Sequence, residues 1–435
     1  MSVHKIEQSD LFEQRLLVPP QYFDTGVSEL HIDPDLKASY SSMVEASFAE
    51  HIQRLAPLDA IASFPERATD PELAYELYRN VLEPPYPDYW DTIDALAQSV
   101  GVIGAGKVAT SVTCVAVEQE AGHLPLTLEQ HATQHIAQGS EYELFLFLNS
   151  RGTNPAAEQQ TLAEIEHFQR IHPHVDIKNV RVLLQNEKLS DIKKMASDIT
   201  LVRWATASDI DRHNYMMLLN DADAAYQHPL YINDYARLFR ENSEVDIAMH
   251  LQDMDHRAFY ALGPDFTFGA RVRQFIERQM AHNSGLLFPE GFDAAVRTPI
   301  YAAAGGFAPN KPFGVDYTFG KLLHHYRGGD HTLSIVRPEE VGIQTSARRP
   351  AYSHLKGIQS GVNTRSDEAI NISLRTQGYP LLESNVPITD QLQAESNRIH
   401  DYLANMGVPR DHPQIREVFQ YFGVEAEPSP GGGLT

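Results

Sequence analysis

Apolar and polar positions along this chain fall into two regimes. Over the first hundred residues the apolar positions recur at helical spacing: Met43, Phe48, Ile52 and Leu55 lie on one face of a helix predicted over 41–55. Asp70 followed by Pro71 is an N-cap with proline at the first helical position, and Leu73, Tyr75, Leu77 and Leu82 supply apolar faces behind it. The break Glu83-Pro84-Pro85-Tyr86-Pro87 separates that helix from another over 91–99.

From Ser111 the pattern becomes an alternation of short apolar runs with longer amphipathic ones. Strands are predicted over 112–117, 144–148, 180–184 and 215–219, and helices over 127–137, 156–171 and 189–207. Further on, a helix over 229–240, a strand over 246–251 and a helix over 270–280 are expected, and a helix opens at Asp316 and runs through His325. Strands alternating with helices of this length build an open, mostly parallel sheet with helices on both faces. The predicted organisation is a helical N-terminal extension over 1–108, a sheet domain over 109–350, a helical C-terminal extension over 351–427 and a glycine-rich disordered tail over 428–435.

Ligands of such a sheet collect at the carboxyl ends of its strands. Those ends carry Glu118, then Asn149 and Ser150, then Gln185 to Glu187, and finally Asp221 and Asp223. The last pair is the most informative. The run Met216-Met217-Leu218-Leu219 stops abruptly at Asn220-Asp221-Ala222-Asp223, placing two carboxylates one residue apart just beyond a buried strand. Mg²⁺ or Mn²⁺ keeps several waters and takes one or two protein carboxylates, with substrate diphosphate oxygens completing the shell.

Composition narrows the partners. The net charge of −23 repels phosphate backbones and anionic membranes, which argues against nucleic acid and leaves a nucleotide substrate dependent on its cation. Cys114 is the single cysteine and lies in an apolar run, so it is expected in the core. No apolar stretch approaches the length of a membrane span, and residues 1–10 lack the apolar stretch of a signal peptide, so a cytoplasmic chain is expected. The stretch Gly101-Val102-Ile103-Gly104-Ala105-Gly106-Lys107 imitates a phosphate loop, but Val108 stands where the metal-binding hydroxyl belongs, and a helix precedes it where a strand should. It is read as a linker. Ala304-Gly305-Gly306-Phe307 and Gly314-Val315-Asp316-Tyr317 form a second constellation, in which Asp316 opens a helix whose dipole stabilises its carboxylate.

In their order and spacing, Val112 to Glu118, Phe147 to Ser150, Arg203, Leu218 to Asp223, Gly305 to Phe307 and Asp316 resemble the nucleotide-sugar-dependent glycosyltransferases of the A-type fold, in particular the large family 2. The resemblance covers about residues 109 to 349. It implies an A-type, Rossmann-like sheet domain, a nucleoside-diphosphate sugar donor, an acceptor hydroxyl and a Mn²⁺ or Mg²⁺ cofactor. By the same resemblance, Asp221 and Asp223 hold the metal and donor diphosphate, while Glu118 and Asn149 line the base and ribose pocket. Arg203 approaches the nucleotide, Gly305 and Gly306 let the backbone approach donor or acceptor, and Asp316 deprotonates the acceptor hydroxyl with inversion at the sugar. Arg348 and Arg349 form a diphosphate clamp, since guanidinium forks take phosphate oxygens bidentately, and His354 is a third metal ligand. Two other readings share the sheet and the carboxylates: a sugar-nucleotide nucleotidyltransferase and a non-catalytic nucleotide-sugar-binding protein. The first normally carries a glycine-rich basic loop after its first strand, whereas Val117-Glu118-Gln119-Glu120 is acidic.

Overall fold

The computed structural model describes residues 34–118, 120, 124–184, 188–254, 293–310, 315–327 and 333–345. Nearly all of them belong to one compact unit, residues 42–253 with 286–345. The helix expected over 270–280, the C-terminal extension and the tail lie outside the described residues. Among the described residues no helix is long and apolar enough to cross a membrane.

Four helices open the described chain: α1 (Pro34–Asp59), α2 (Phe64–Thr69), α3 (Pro71–Val81) and α4 (Tyr89–Val100). Asp70 caps α3 by accepting from the backbone N–H groups of Glu72 at 3.1 Å and Leu73 at 3.0 Å. Helix α3 buries Ala74, Leu77 and Tyr78, and α4 buries Tyr89, Ile93, Ala97 and Val100, each at helical spacing. The glycine-rich stretch 101–107 is a loop between α4 and the first strand, and Lys107 is anchored 3.1 Å from Asp176.

Then comes the alternation: β1 (Ala109–Ala116), α5 (Leu124–Ala132), β2 (Tyr142–Ser150), α6 (Pro155–Ile171), β3 (Ile177–Leu183), α7 (Leu189–Thr206) and β4 (Met216–Asp221). Helix α5 starts and stops earlier than its periodicity predicts. Beyond Ala132 the chain gives its backbone donors elsewhere, His135 N–H to the Pro229 carbonyl at 2.8 Å and Ala137 N–H to Asn233 Oδ1 at 3.0 Å. After β4 follow β5 (Ala224–Gln227), α8 (Tyr231–Glu241), β6 (Ile247–Met254), β7 (Asp293–Arg297), α9 (Thr298–Ala303), α10 (Val315–Arg327) and β8 (Leu333–Thr345).

Among the described residues eight strands form one sheet in the order β3-β2-β1-β4-β7-β6-β8-β5. Strands β3, β2, β1 and β4 run parallel, so their carboxyl ends share one rim, with Ala116 beside Asn149 and Cys114 beside Asp221. Strand β7 is antiparallel to β4, which sets Asp293, its first residue, against Asn220 at the same rim. This is an open, mostly parallel, Rossmann-like sheet flanked by helices, as the A-type resemblance implies.

Strand alternation divides the core in two. Val112, Phe145, Phe147, Met217 and Leu219 face a layer that includes α3, α4, α7 and α10. Leu144, Leu146, Met216 and Leu218 face α5, α6 and α8. Residues 42–108 thus share a core with the sheet, and each fully buried Leu or Phe there contributes about 1.5–3 kcal/mol.

A buried carboxylate also ties the helical layer together. Asp198 of α7 is fully buried and accepts from Tyr78 at 2.7 Å, Tyr89 at 2.6 Å, Tyr301 at 3.1 Å and Lys194 at 2.8 Å. Burial pushes the Lys194 ammonium down to about 8, against the pull of Asp198, and pushes the three phenols up. Removing one member of such a cluster leaves an uncompensated buried charge. Asp198→Ala is expected to cost about 3–5 kcal/mol in urea unfolding and Tyr89→Phe only about 1 kcal/mol; equal, small losses would contradict this.

Candidate active site

The rim is built around the end of β4. Its apolar residues are buried, and Asn220 is fixed from both sides: its amide donates to Ser111 Oγ at 3.0 Å and its carbonyl accepts from Tyr231 at 2.8 Å. Tyr231 and Tyr235 both donate to Asp293 Oδ1 at 2.6 Å, and the His250 backbone N–H donates to Asp293 Oδ2 at 2.8 Å. Past Asp221 the chain turns into β5. Thr127 Oγ1 of α5 donates to the carbonyls of Ala222 at 2.7 Å and Ala224 at 3.1 Å, bracketing Asp223. Ala222 is buried while Asp221 and Asp223 are half-buried, so the turn holds both carboxylates on an anchored backbone.

Asp221 does not stand alone. The Lys193 ammonium, projecting from α7 and 7% exposed, lies 3.5 Å from Asp221 Oδ1 and 3.6 Å from Asp316 Oδ1. Asp316 sits in the first turn of α10, where the helix dipole favours a negative charge. Two carboxylates remote in sequence thus meet at one cation. Burial pushes the Asp316 carboxyl up, Lys193 pulls it down and Asp221 pushes it up again. A raised carboxyl with a charged neighbour is a familiar setting for a base. Beneath them on β1, burial pushes the Cys114 thiol up to about 12, with Lys193 opposing.

Of the other residues singled out in the sequence, some reach this rim and some do not. Glu118 is there, and its carboxylate organises the loop after β2. It accepts from the backbone N–H groups of Arg151 at 3.2 Å, Thr153 at 2.6 Å and Asn154 at 3.3 Å, and from Thr153 Oγ1 at 3.1 Å. Burial raises its pKa, yet these donors outweigh burial and hold the carboxyl below its ordinary value. Asn149 is buried near the end of β2, and its carbonyl accepts from Val117 N–H at 3.1 Å.

Arg203 is placed elsewhere. It is 1% exposed and makes a bidentate pair with fully buried Glu143, Nη1 to Oε1 at 2.5 Å and Nη2 to Oε2 at 2.9 Å, while its Nε donates to the Gly101 carbonyl at 2.6 Å. Glu143 is the second residue of β2, so this pair lies at the amino ends of the parallel strands, away from the rim. In this structure the guanidinium is engaged by a buried counter-charge.

Gly305 and Gly306 sit in a tightly packed turn. Both have positive φ, +79° and +65°. A Cβ on Gly305 would come within 2.1 Å of Leu55 Cδ2, and one on Gly306 within 2.5 Å of the Tyr78 hydroxyl. Arg54 also donates to the Gly305 carbonyl at 3.1 Å and Arg67 to that of Ala303 at 2.9 Å. The double glycine admits the N-terminal helices to close contact with the turn after α9. Gln185 to Glu187, Arg348, Arg349 and His354 lie outside the described residues.

Lys193 is the rim residue that pattern reading missed. The available signal was the Lys193-Lys194 doublet in a helix that is otherwise buried over most of its length. As for a metal, no group of three or more His, Cys, Asp or Glu gathers among the described residues. Asp221 and Asp223 supply two hard oxygen donors, which fits a Mg²⁺ or Mn²⁺ that draws its remaining oxygens from water and a diphosphate.

No family model and no curated protein matches the chain. Among solved structures it is similar to a mannosyltransferase from Pyrobaculum calidifontis in complex with GDP-Man and Mn²⁺, at 13% identity and a TM-score of 0.36, covering 83% of this chain and 96% of that one. It is also similar to glucosyl-3-phosphoglycerate synthase from Mycobacterium tuberculosis in complex with Mn²⁺, UDP and phosphoglyceric acid, at 13% identity and a TM-score of 0.33, covering 76% and 86%.

The hydrogen bonds to Glu118 give a pH-dependent expectation. A carboxyl whose folded pKa is depressed adds stability in full above its ordinary value of 4.5, and that stability is lost as pH falls through the folded value. The urea midpoint of Glu118→Gln is therefore expected to lie below that of the native protein at pH 7, with the gap closing on acidification below about pH 4. A gap independent of pH would contradict the assignment.

Proposed function

We propose that this protein is a metal-dependent glycosyltransferase that moves a sugar from a nucleoside-diphosphate donor to an acceptor hydroxyl with inversion. The observation that carries the reading is the meeting of Asp221 and Asp316 at Lys193, on the rim where a parallel sheet gathers its ligands. Asp221 and Asp223 would hold a Mn²⁺ or Mg²⁺, which would supply positive charge to neutralise a departing diphosphate.

The chain's own residues do the rest. Asp316, half-buried and with its carboxyl pushed up by desolvation, accepts the proton of the acceptor hydroxyl as its oxygen attacks the anomeric carbon. Attack opposite the leaving diphosphate inverts the sugar. Asn149 lines the nucleotide side of the crevice, with Glu118 shaping the loop beside it. Arg348 and Arg349 would clamp the diphosphate and His354 would be a third protein ligand of the metal; these three assignments rest on the sequence resemblance.

The test is a panel of nucleotide-sugars with Mn²⁺, scored for released nucleoside diphosphate. Release of pyrophosphate in its place would favour a nucleotidyltransferase, and binding without turnover toward any acceptor would favour a non-catalytic protein. Asp223→Ala should abolish Mn²⁺-dependent donor binding. Asp316→Asn should leave donor binding intact and lower kcat by roughly 10²–10⁴-fold. Equal loss of binding in both variants would refute this division of labour.

A further inference from the structure

Lys193 places a positive charge where the proposed reaction calls for a divalent one. Its ammonium touches both Asp221, a proposed metal ligand, and Asp316, the proposed base. We propose that Lys193 is a place-holding cation: it keeps the two carboxylates compensated and in position until a divalent ion arrives, and it must give up Asp221 for the ion to bind. The inference rests on the reading that Asp221 and Asp223 take a divalent ion.

Three features support it. Asp221 and Asp316 each lie within 3.6 Å of the same ammonium, so without it the two carboxylates would face each other uncompensated and repel. Next, α7 is tied in place one residue along, where buried Asp198 binds Lys194 of the same helix and Tyr78 of α3, Tyr89 of α4 and Tyr301 of α9. Exchange must therefore come from rotation of the Lys193 stem, which carries the ammonium on four flexible carbons. Finally, an ammonium and a divalent ion at the same carboxylate repel each other, so the lysine opposes a bare metal ion. A diphosphate supplies the negative charge that offsets this opposition. Metal and nucleotide are then expected to bind together, and Lys193 is the positioning residue that couples them.

The experiment measures Mn²⁺ affinity, without turnover, from the electron paramagnetic resonance signal of free Mn²⁺, in the absence and presence of UDP or GDP. It uses the full chain, Lys193→Met, Lys193→Arg and Asp221→Asn. Without nucleotide, Lys193→Met is expected to bind Mn²⁺ at least about tenfold more tightly than the native protein. Lys193→Arg should resemble the native protein, and Asp221→Asn should lose the site. The tightening of Mn²⁺ binding by UDP or GDP should shrink in Lys193→Met. Circular dichroism checks the fold, with Lys193→Gln as the second variant should the methionine protein not fold. Unchanged or weaker Mn²⁺ affinity in the neutral variants overturns the proposal, as does failure of both native and neutral proteins to take up Mn²⁺. Tighter Mn²⁺ binding in Lys193→Met, with no uptake of any nucleoside diphosphate by the native protein, upholds the exchange and defeats the glycosyl-transfer reading.

Discussion

Carboxylates gathered at a half-buried rim need a counter-charge, and in a chain of net charge −23 that need governs the site. Lys193 meets it for Asp221 and Asp316. Elsewhere the same requirement is met locally: Arg203 compensates Glu143 at the opposite end of the strands, and Lys194 with three phenols compensates Asp198 in the helical layer. At the rim, by contrast, one cation serves two carboxylates. In the proposed function those two acids are the metal ligand and the base, with the cation between them.

Helix α7 is the beam that connects these charges. Adjacent lysines on it point to different tasks, Lys193 to the rim and Lys194 to the cluster that joins α3, α4 and α9. The N-terminal helices therefore do more than cover a sheet face. They fix α7 through Tyr78 and Tyr89, and they reach the turn after α9 through Leu55 and Arg54, where glycine alone admits them.

Local pattern made the parallel half of the sheet legible. Each of its strands is a buried apolar run ending in polar residues, and the Asp221-Ala222-Asp223 turn lies at the end of β4 as the alternation implied. Strand β7 was not foreseen, because its placement against β4 depends on pairing between distant segments, and Asp293-Ala-Ala-Val-Arg has little strand signature of its own. Arg203 and the glycine pair show another limit. A basic residue on a helix and a flexible dipeptide suit a nucleotide site by type, but their partners, Glu143 for one and Leu55 with Tyr78 for the other, are set by packing over long sequence separations. Lys193 was missed for the same reason, since a lysine in a helix usually faces water.

The proposed function requires a divalent ion between the β4 carboxylates and the diphosphate of a sugar donor. Anomalous scattering from a crystal soaked with Mn²⁺ and a nucleoside diphosphate tests it most directly. One manganese peak is expected at about 2.1 Å from an Asp221 or Asp223 oxygen, with phosphate oxygens in its shell. A nucleotide seated at the rim with no manganese beside these carboxylates, or manganese bound only elsewhere, would contradict it.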